Sequence, residues 1–135
     1  MANIFNKTFD DDDFKDLNLS MKPHPNFGDI LPLKGLDAIK QSIRNIIFLH
    51  KYSRPFQPYL TSFVKQYLYE LNDGFTLNAL QSEIQDILMK YEKRITDLAV
   101  EVTQQDQFNL KVVVFFTVIN SQQASSYELT LNNIR

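Results

Sequence analysis

From Ile95 onward the apolar residues of this chain change their spacing, and that change limits the folds open to it. Before Ile95 they recur every three or four residues, as one face of a helix requires; after it they alternate, as one face of a strand requires. Leu98, Val100 and Val102 alternate with Ala99 and Glu101, and Tyr127, Leu129 and Leu131 alternate with Glu128 and Thr130. Three strands are expected, over 95–102, 110–119 and 126–131, joined as an antiparallel meander. The middle one is apolar on both faces through Val112, Val113, Val114, Phe115 and Phe116. A strand of that kind is covered on both sides, by helices on one and by something else, such as another subunit, on the other.

The helices come first in the chain. Leu36, Ile39, Ile43, Ile46 and Ile47 predict one over 36–49, and Phe63, Val64, Tyr67, Leu68 and Leu71 a shorter one over 62–71. Leu77, Leu80, Ile84, Ile87, Leu88 and Tyr91 predict a third over 77–92, with Thr76 as its N-cap. Pro55 and Pro58 separate the first two; Asn72, Asp73 and Gly74 form a turn signal before the third. Leu17, Leu19 and Met21 alternate with Asn18 and Ser20 and predict a short strand. A Pro-rich loop follows over 22–35. The fold class is therefore α+β: an N-terminal arm, then three helices packed on a three- to four-stranded, mainly antiparallel sheet. Residues 1–16 form the arm and 17–135 a single domain.

Charge sharpens this division. The arm carries Asp10, Asp11, Asp12, Asp13 and Asp16 against Lys7 and Lys15, whereas the whole chain has a net charge of only −2. Four consecutive Asp repel one another, so the arm is expected to be disordered or to dock on a partner. A nearly neutral body speaks against a nucleic-acid-binding module, which needs clustered Lys and Arg. No apolar run is long enough to cross a bilayer, so no membrane partner is expected. The first residues lack the build of a signal peptide, which points to cytoplasmic synthesis and residence.

The sequence carries no constellation of residues that points to catalysis. The chain has no cysteine and three scattered glycines, leaving no thiolate metal site, cysteine nucleophile or phosphate-cradling loop. His24 and His50 lie in different loops without ligand spacing. Asp10, Asp11, Asp12 and Asp13 lack the Gly and terminal Glu of a calcium loop. Glu70, Glu83, Glu92 and Asp97 offer carboxylates for glycoside hydrolysis, but no pair is singled out by spacing. No catalytic, cofactor-binding or metal-ligating residue is assigned. Phe56, Tyr59 and Tyr69 lie off the apolar stripes and read as protein-contact residues.

Two segments go beyond the generic. Ser53-Arg54-Pro55-Phe56-Gln57-Pro58 follows the first helix, and Tyr91-Glu92-Lys93-Arg94-Ile95 joins the third helix to the first strand. In that order they resemble the baseplate wedge family of contractile-tailed phages, which includes the sheath-initiating wedge subunit of T-even phages and a baseplate component of type VI secretion systems. The family pattern is a Gly-x-Arg-Pro-x-x-Pro loop, a short helix, a long helix ending Tyr-Glu-Pro-Arg-Ile, and a terminal sheet. The likeness spans about residues 15–135. Here Lys93 stands in place of the family Pro, Tyr52 in place of the Gly, and Leu60-Thr61 in place of a Phe-Gly or similar pair.

The resemblance implies a non-enzymatic structural protein of the virion's tail baseplate, present in the host cytoplasm during assembly. Its implied partners are larger wedge subunits, the tail sheath protein and, as a further candidate, the tail tube. It implies a wedge contact through Glu92 and Arg94, with Arg54 and Pro55 matching the other loop, and a sheath contact through a strand edge at Tyr127, Glu128, Leu129, Thr130 and Leu131. A local salt bridge between Glu92 and Arg94 is the competing reading of that pair. Relatives described as lysozyme-like leave a peptidoglycan hydrolase as the alternative function.

Overall fold

A computed structural model of the 135-residue chain describes residues 14–26, 28–49, 53–57, 64–68, 74–119 and 124–132. The chain divides into two compact units, Met1–Ser42 and Ile43–Arg135. Helix α1 (Gly35–Ile47) begins in the first and ends in the second. No described helix is long and apolar enough to cross a membrane.

In the first unit, β1 (Lys15–Asp16) pairs antiparallel with β2 (Leu33–Lys34), Lys15 opposite Lys34 and Asp16 opposite Leu33. The Gly35 N–H continues the ladder to the Phe14 carbonyl at 2.8 Å, and Gly35 turns into α1 with φ +57°. The last residues of the expected arm are thus held in a ladder, while residues 1–13 lie outside the described part. The strand expected over 17–21 is absent. Asn18 prevents it: its side-chain oxygen accepts the Ser20 N–H at 3.0 Å, and its carbonyl accepts the Met21 N–H at 3.2 Å. A short polar side chain that captures nearby backbone donors competes with a ladder. Met21 then takes φ +51°, incompatible with a strand. The side-chain amide of Gln41 on α1 secures this turn from both sides, donating to the Leu17 carbonyl at 2.8 Å and accepting the Leu19 N–H at 3.1 Å. The Pro-rich loop is pinched by a bridge between Pro23 and Ile30, with Gly28 at φ +66°.

The second unit holds α2 (Val64–Tyr67), α3 (Gly74–Tyr91), β3 (Ile95–Gln104), β4 (Asn109–Val118) and β5 (Ala124–Asn132). The three strands form an antiparallel sheet in the order β3-β4-β5, the expected meander. The fold class is α+β as read from the sequence, with β1 and β2 as a separate two-stranded piece. The helix expected over 62–71 is described only from Val64 to Leu68. Thr76 is not the N-cap of α3: the helix begins at Gly74, and Thr76 is buried inside its first turn. From there Leu80, Ile84, Ile87 and Leu88 form the buried stripe. α3 packs on β3 and α2 packs on α3.

One face of the sheet is core. Leu110, Val112, Val114, Phe116 and Val118 of β4, with Leu129 and Leu131 of β5, are buried. On the other face, expected to be covered, Val113 is half-buried and Phe115 is 41% exposed.

A bulge in β3 keeps its two ends on the core face. Thr96 pairs with Thr117 but Ala99 with Phe115, so one extra residue is accommodated between them. Ile95 and Val100, an odd number of positions apart, would otherwise point to opposite faces; both are buried. Asp97 supplies the local conformation with φ +48°. Asp97→Gly is expected to leave stability unchanged or raise it by up to ~1 kcal/mol, because Gly enters the left-handed region without strain. Asp97→Val, β-branched, should lower it by about 1–3 kcal/mol. Urea unfolding of the two variants checks the order.

Candidate functional site

α3 ends at Tyr91, and β3 begins at Ile95; the turn between them is the Glu92-Lys93-Arg94 segment. The Glu92 N–H closes the last helical turn onto the Leu88 carbonyl at 2.9 Å, which draws the side chain inward until only 4% of it is exposed. Its carboxylate then receives three donors from one residue. Arg94 Nε donates to Oε1 at 2.7 Å, Arg94 Nη2 to Oε2 at 2.9 Å, and the Arg94 backbone N–H to Oε1 at 3.3 Å. The guanidinium, 22% exposed, makes a two-pronged pair that fixes orientation as well as charge. On the other side of the turn the Ile119 N–H donates to the Arg94 carbonyl at 2.9 Å, tying it to the end of β4.

The bend carries Lys at position 93. A proline there would fix φ; here one carboxylate holds both the backbone and the side chain of Arg94. Lys93 itself is exposed. Glu92 and Arg94 are brought together as an internal clamp, so the competing reading of a local salt bridge describes their geometry.

Arg54 and Pro55 lie in a separate turn closed by the Gln57 N–H on the Arg54 carbonyl at 3.2 Å. Both are exposed, as is Phe56 at 97%. Among the described residues no hydrogen bond or ion pair joins Arg54 to Glu92 or Arg94. Tyr52, Tyr59 and Tyr69 lie outside the described residues, as does His50.

β5 forms one margin of the sheet, and among the described residues no strand pairs with its outer side. Its register with β4 is unbroken from Ala124 opposite Thr117 to Asn132 opposite Asn109. Leu129 and Leu131 are buried and Tyr127 is half-buried, while Glu128 and Thr130 are exposed. Along this edge the side chains left exposed are Glu128 and Thr130, and Leu129 and Leu131 serve the core instead. Glu128 pairs with Lys111 at 2.9 Å across the strands, an exposed contact worth ~1 kcal/mol or less. His24 Nδ1 accepts the Asn26 N–H at 3.2 Å in its loop. No group of three or more His, Asp or Glu able to hold a metal ion occurs among the described residues.

The site therefore consists of an internal clamp at one end of the three-stranded sheet and a strand in unbroken register along its margin. A solved structure with the same architecture, from a Geobacter sulfurreducens protein presumed to be a tail lysozyme, superposes with a TM-score of 0.67. It covers 73% of this chain and 91% of its own at 18% identity, a likeness of fold alone. The family model for baseplate wedge protein gp25 matches residues 34–123. Baseplate wedge protein gp25 of Enterobacteria phage T4 is 35% identical over 122 residues, 90% of this chain and 87% of the relative. The chain belongs to the gp25 family of baseplate wedge proteins, a class of structural baseplate components.

Proposed function

We propose that the chain is a non-enzymatic part of a contractile-tail baseplate, docking on larger wedge subunits through the turn at Glu92 and Arg94 and starting the sheath from the β5 edge. The observation that carries this reading is the edge itself, a nine-residue strand in continuous register with no partner on its outer side among the described residues. Such a margin presents unpaired N–H and C=O groups to which an extended segment can add. A sheath subunit contributing that segment would gain main-chain hydrogen bonds in register with β5. The wedge contact uses the exposed rim of Arg94, together with Arg54 and Pro55 in their exposed turn. On this reading the protein resides in the virion baseplate, enters it from the host cytoplasm, and lies near the tail tube.

Hydrolysis is the weaker reading. Glu92, one of the carboxylates available for it, is buried with both oxygens engaged by Arg94. A general acid must reach the glycosidic oxygen, and this one is turned away from solvent.

The test reconstitutes baseplates from purified wedge components of the same system, with and without this chain, and then adds sheath protein. Sheath should polymerise only on baseplates that contain the chain. Arg54→Ala, an exposed substitution with little structural cost, should weaken incorporation several-fold. Sheath growth at equal rates on baseplates lacking the chain would overturn the sheath role, and clearing of peptidoglycan by the purified protein would reinstate the enzyme.

A further inference from the structure

The second unit carries a groove of about 390 Å³ that no part of the foregoing uses. Ile47 and Phe48 at the end of α1, Leu68 after α2, and Leu131 of β5 give it an apolar floor. Arg44 and Lys65 give it a cationic rim, and no acidic residue is found among its described lining. The Arg44 guanidinium stands 5.9 Å from the centre of the Phe48 ring, so the cation is held over the apolar wall rather than projecting freely. Thr130, Leu131 and Asn132, the last residues of β5, form one side. The groove thus opens at the end of the same strand whose edge is proposed above to receive a partner.

We propose that this groove is the anchor site for the segment that adds to β5, taking one large apolar side chain of that segment with an acidic residue beside it. The inference rests on the reading of β5 as an acceptor edge and deepens it by specifying the chemistry of the arriving segment. A strand added beside β5 runs within about 5 Å of it, and the last residues of β5, Thr130, Leu131 and Asn132, line the groove. Main-chain hydrogen bonds along an edge are indifferent to sequence and allow the added strand to slip by two residues. One aromatic or branched side chain seated at a fixed point removes that freedom. Arg44 selects what accompanies it: a carboxylate is attracted, a lysine repelled, and the preference weakens with salt. The volume lies within the ~300–1,000 Å³ typical of ligand pockets and has room for one aromatic ring with its flanking backbone. The occupant is therefore an extended peptide of a partner protein, alternating in pattern and ending in an aromatic-acidic pair.

Fluorescein-labelled peptides test this against the full chain. The probe is Thr-Val-Thr-Val-Thr-Phe-Asp-Asp, with Phe→Ser and Asp-Asp→Lys-Lys versions as comparators. Anisotropy gives affinity, and NMR shifts of β5 amides and of the Leu68 methyls report the edge and the groove separately. The probe should move both sets of signals, and each comparator should bind at least tenfold more weakly. Arg44→Glu, at an exposed helix position, should reverse the preference so that the Lys-Lys version binds better. Movement of β5 amides with less than twofold change among peptides would overturn the groove's role while leaving the edge reading intact. Silence of both sets would overturn both. Response of the groove without β5 would make it a separate ligand pocket and overturn the link. Binding that first requires deletion of residues 1–13 would make the chain's own acidic stretch the occupant, with the same consequence.

Discussion

Arg94→Ala is expected to lower the unfolding free energy of the isolated chain by about 3 kcal/mol. The substitution leaves the Glu92 carboxylate, 4% exposed, without the two side-chain donors and the positive charge that now face it. Removing one partner of a buried pair typically costs ~3–5 kcal/mol, because the remaining charge is left uncompensated. The lower end applies here, since the guanidinium is partly solvated. Arg94→Lys keeps the charge but loses the fork, and should cost about 1–2 kcal/mol. The double variant Glu92→Leu, Arg94→Met removes both charges and should regain most of the loss. Denaturant midpoints of the three proteins measure this series; a loss below 1 kcal/mol for Arg94→Ala would show that the clamp does not hold the bend. The double variant also separates two roles that Arg94→Ala confounds. If it folds normally yet fails to join wedge subunits, the guanidinium is needed for docking in its own right.

Two neighbouring phenylalanines should respond very differently to the same substitution. Phe116→Ala removes a side chain that is 2% exposed, near the end of the central strand and on the core face. Lost transfer energy and the cavity left behind together predict about 3–5 kcal/mol. Phe115, one residue earlier and 41% exposed, points to the open face, and its replacement should cost about 1 kcal/mol or less. Thermal unfolding of both variants would reveal the contrast directly. Equal and large losses would mean that the open face is packed in solution, as in a self-associated form, and dilution would then separate the curves.

The central strand is legible in the sequence as a run apolar on both faces, Val112 to Phe116, and so as a strand expected to be covered on both. Which face is core is not: Val113 and Phe115 are as apolar as Val112, Val114 and Phe116, and nothing in their spacing says whether a cover belongs to the same chain. α1 and α3 were legible by their period. The errors lie where side chains compete with that signal. Leu17, Leu19 and Met21 alternate as a strand would, but the Asn18 oxygen takes the backbone donor a ladder would need. Thr76 has the chemistry of a cap, and burial placed it inside the helix instead. β1 and β2 are two residues each and pair across a separation far beyond any local pattern. The bulge at Asp97 left only a faint trace, the odd separation of Ile95 and Val100 among otherwise even ones. In the turn after α3 the residues are singled out by resemblance and a local salt bridge between them is one of two sequence readings; the burial of Glu92 needs the geometry of a helix end that turns it inward.

The same bulge gives the sheet a polarity. Its two margins are not equivalent: β3 is interrupted by a residue at positive φ, whereas β5 runs in unbroken register along its length. A kinked margin is a poor template for a further strand, and a straight one is a good template. On the proposed reading the domain behaves as a primer with one live end and one blocked end. Growth from such a primer proceeds outward only, and two copies cannot extend one another indefinitely into a fibre. On that reading the left-handed Asp97 is what blocks the second margin.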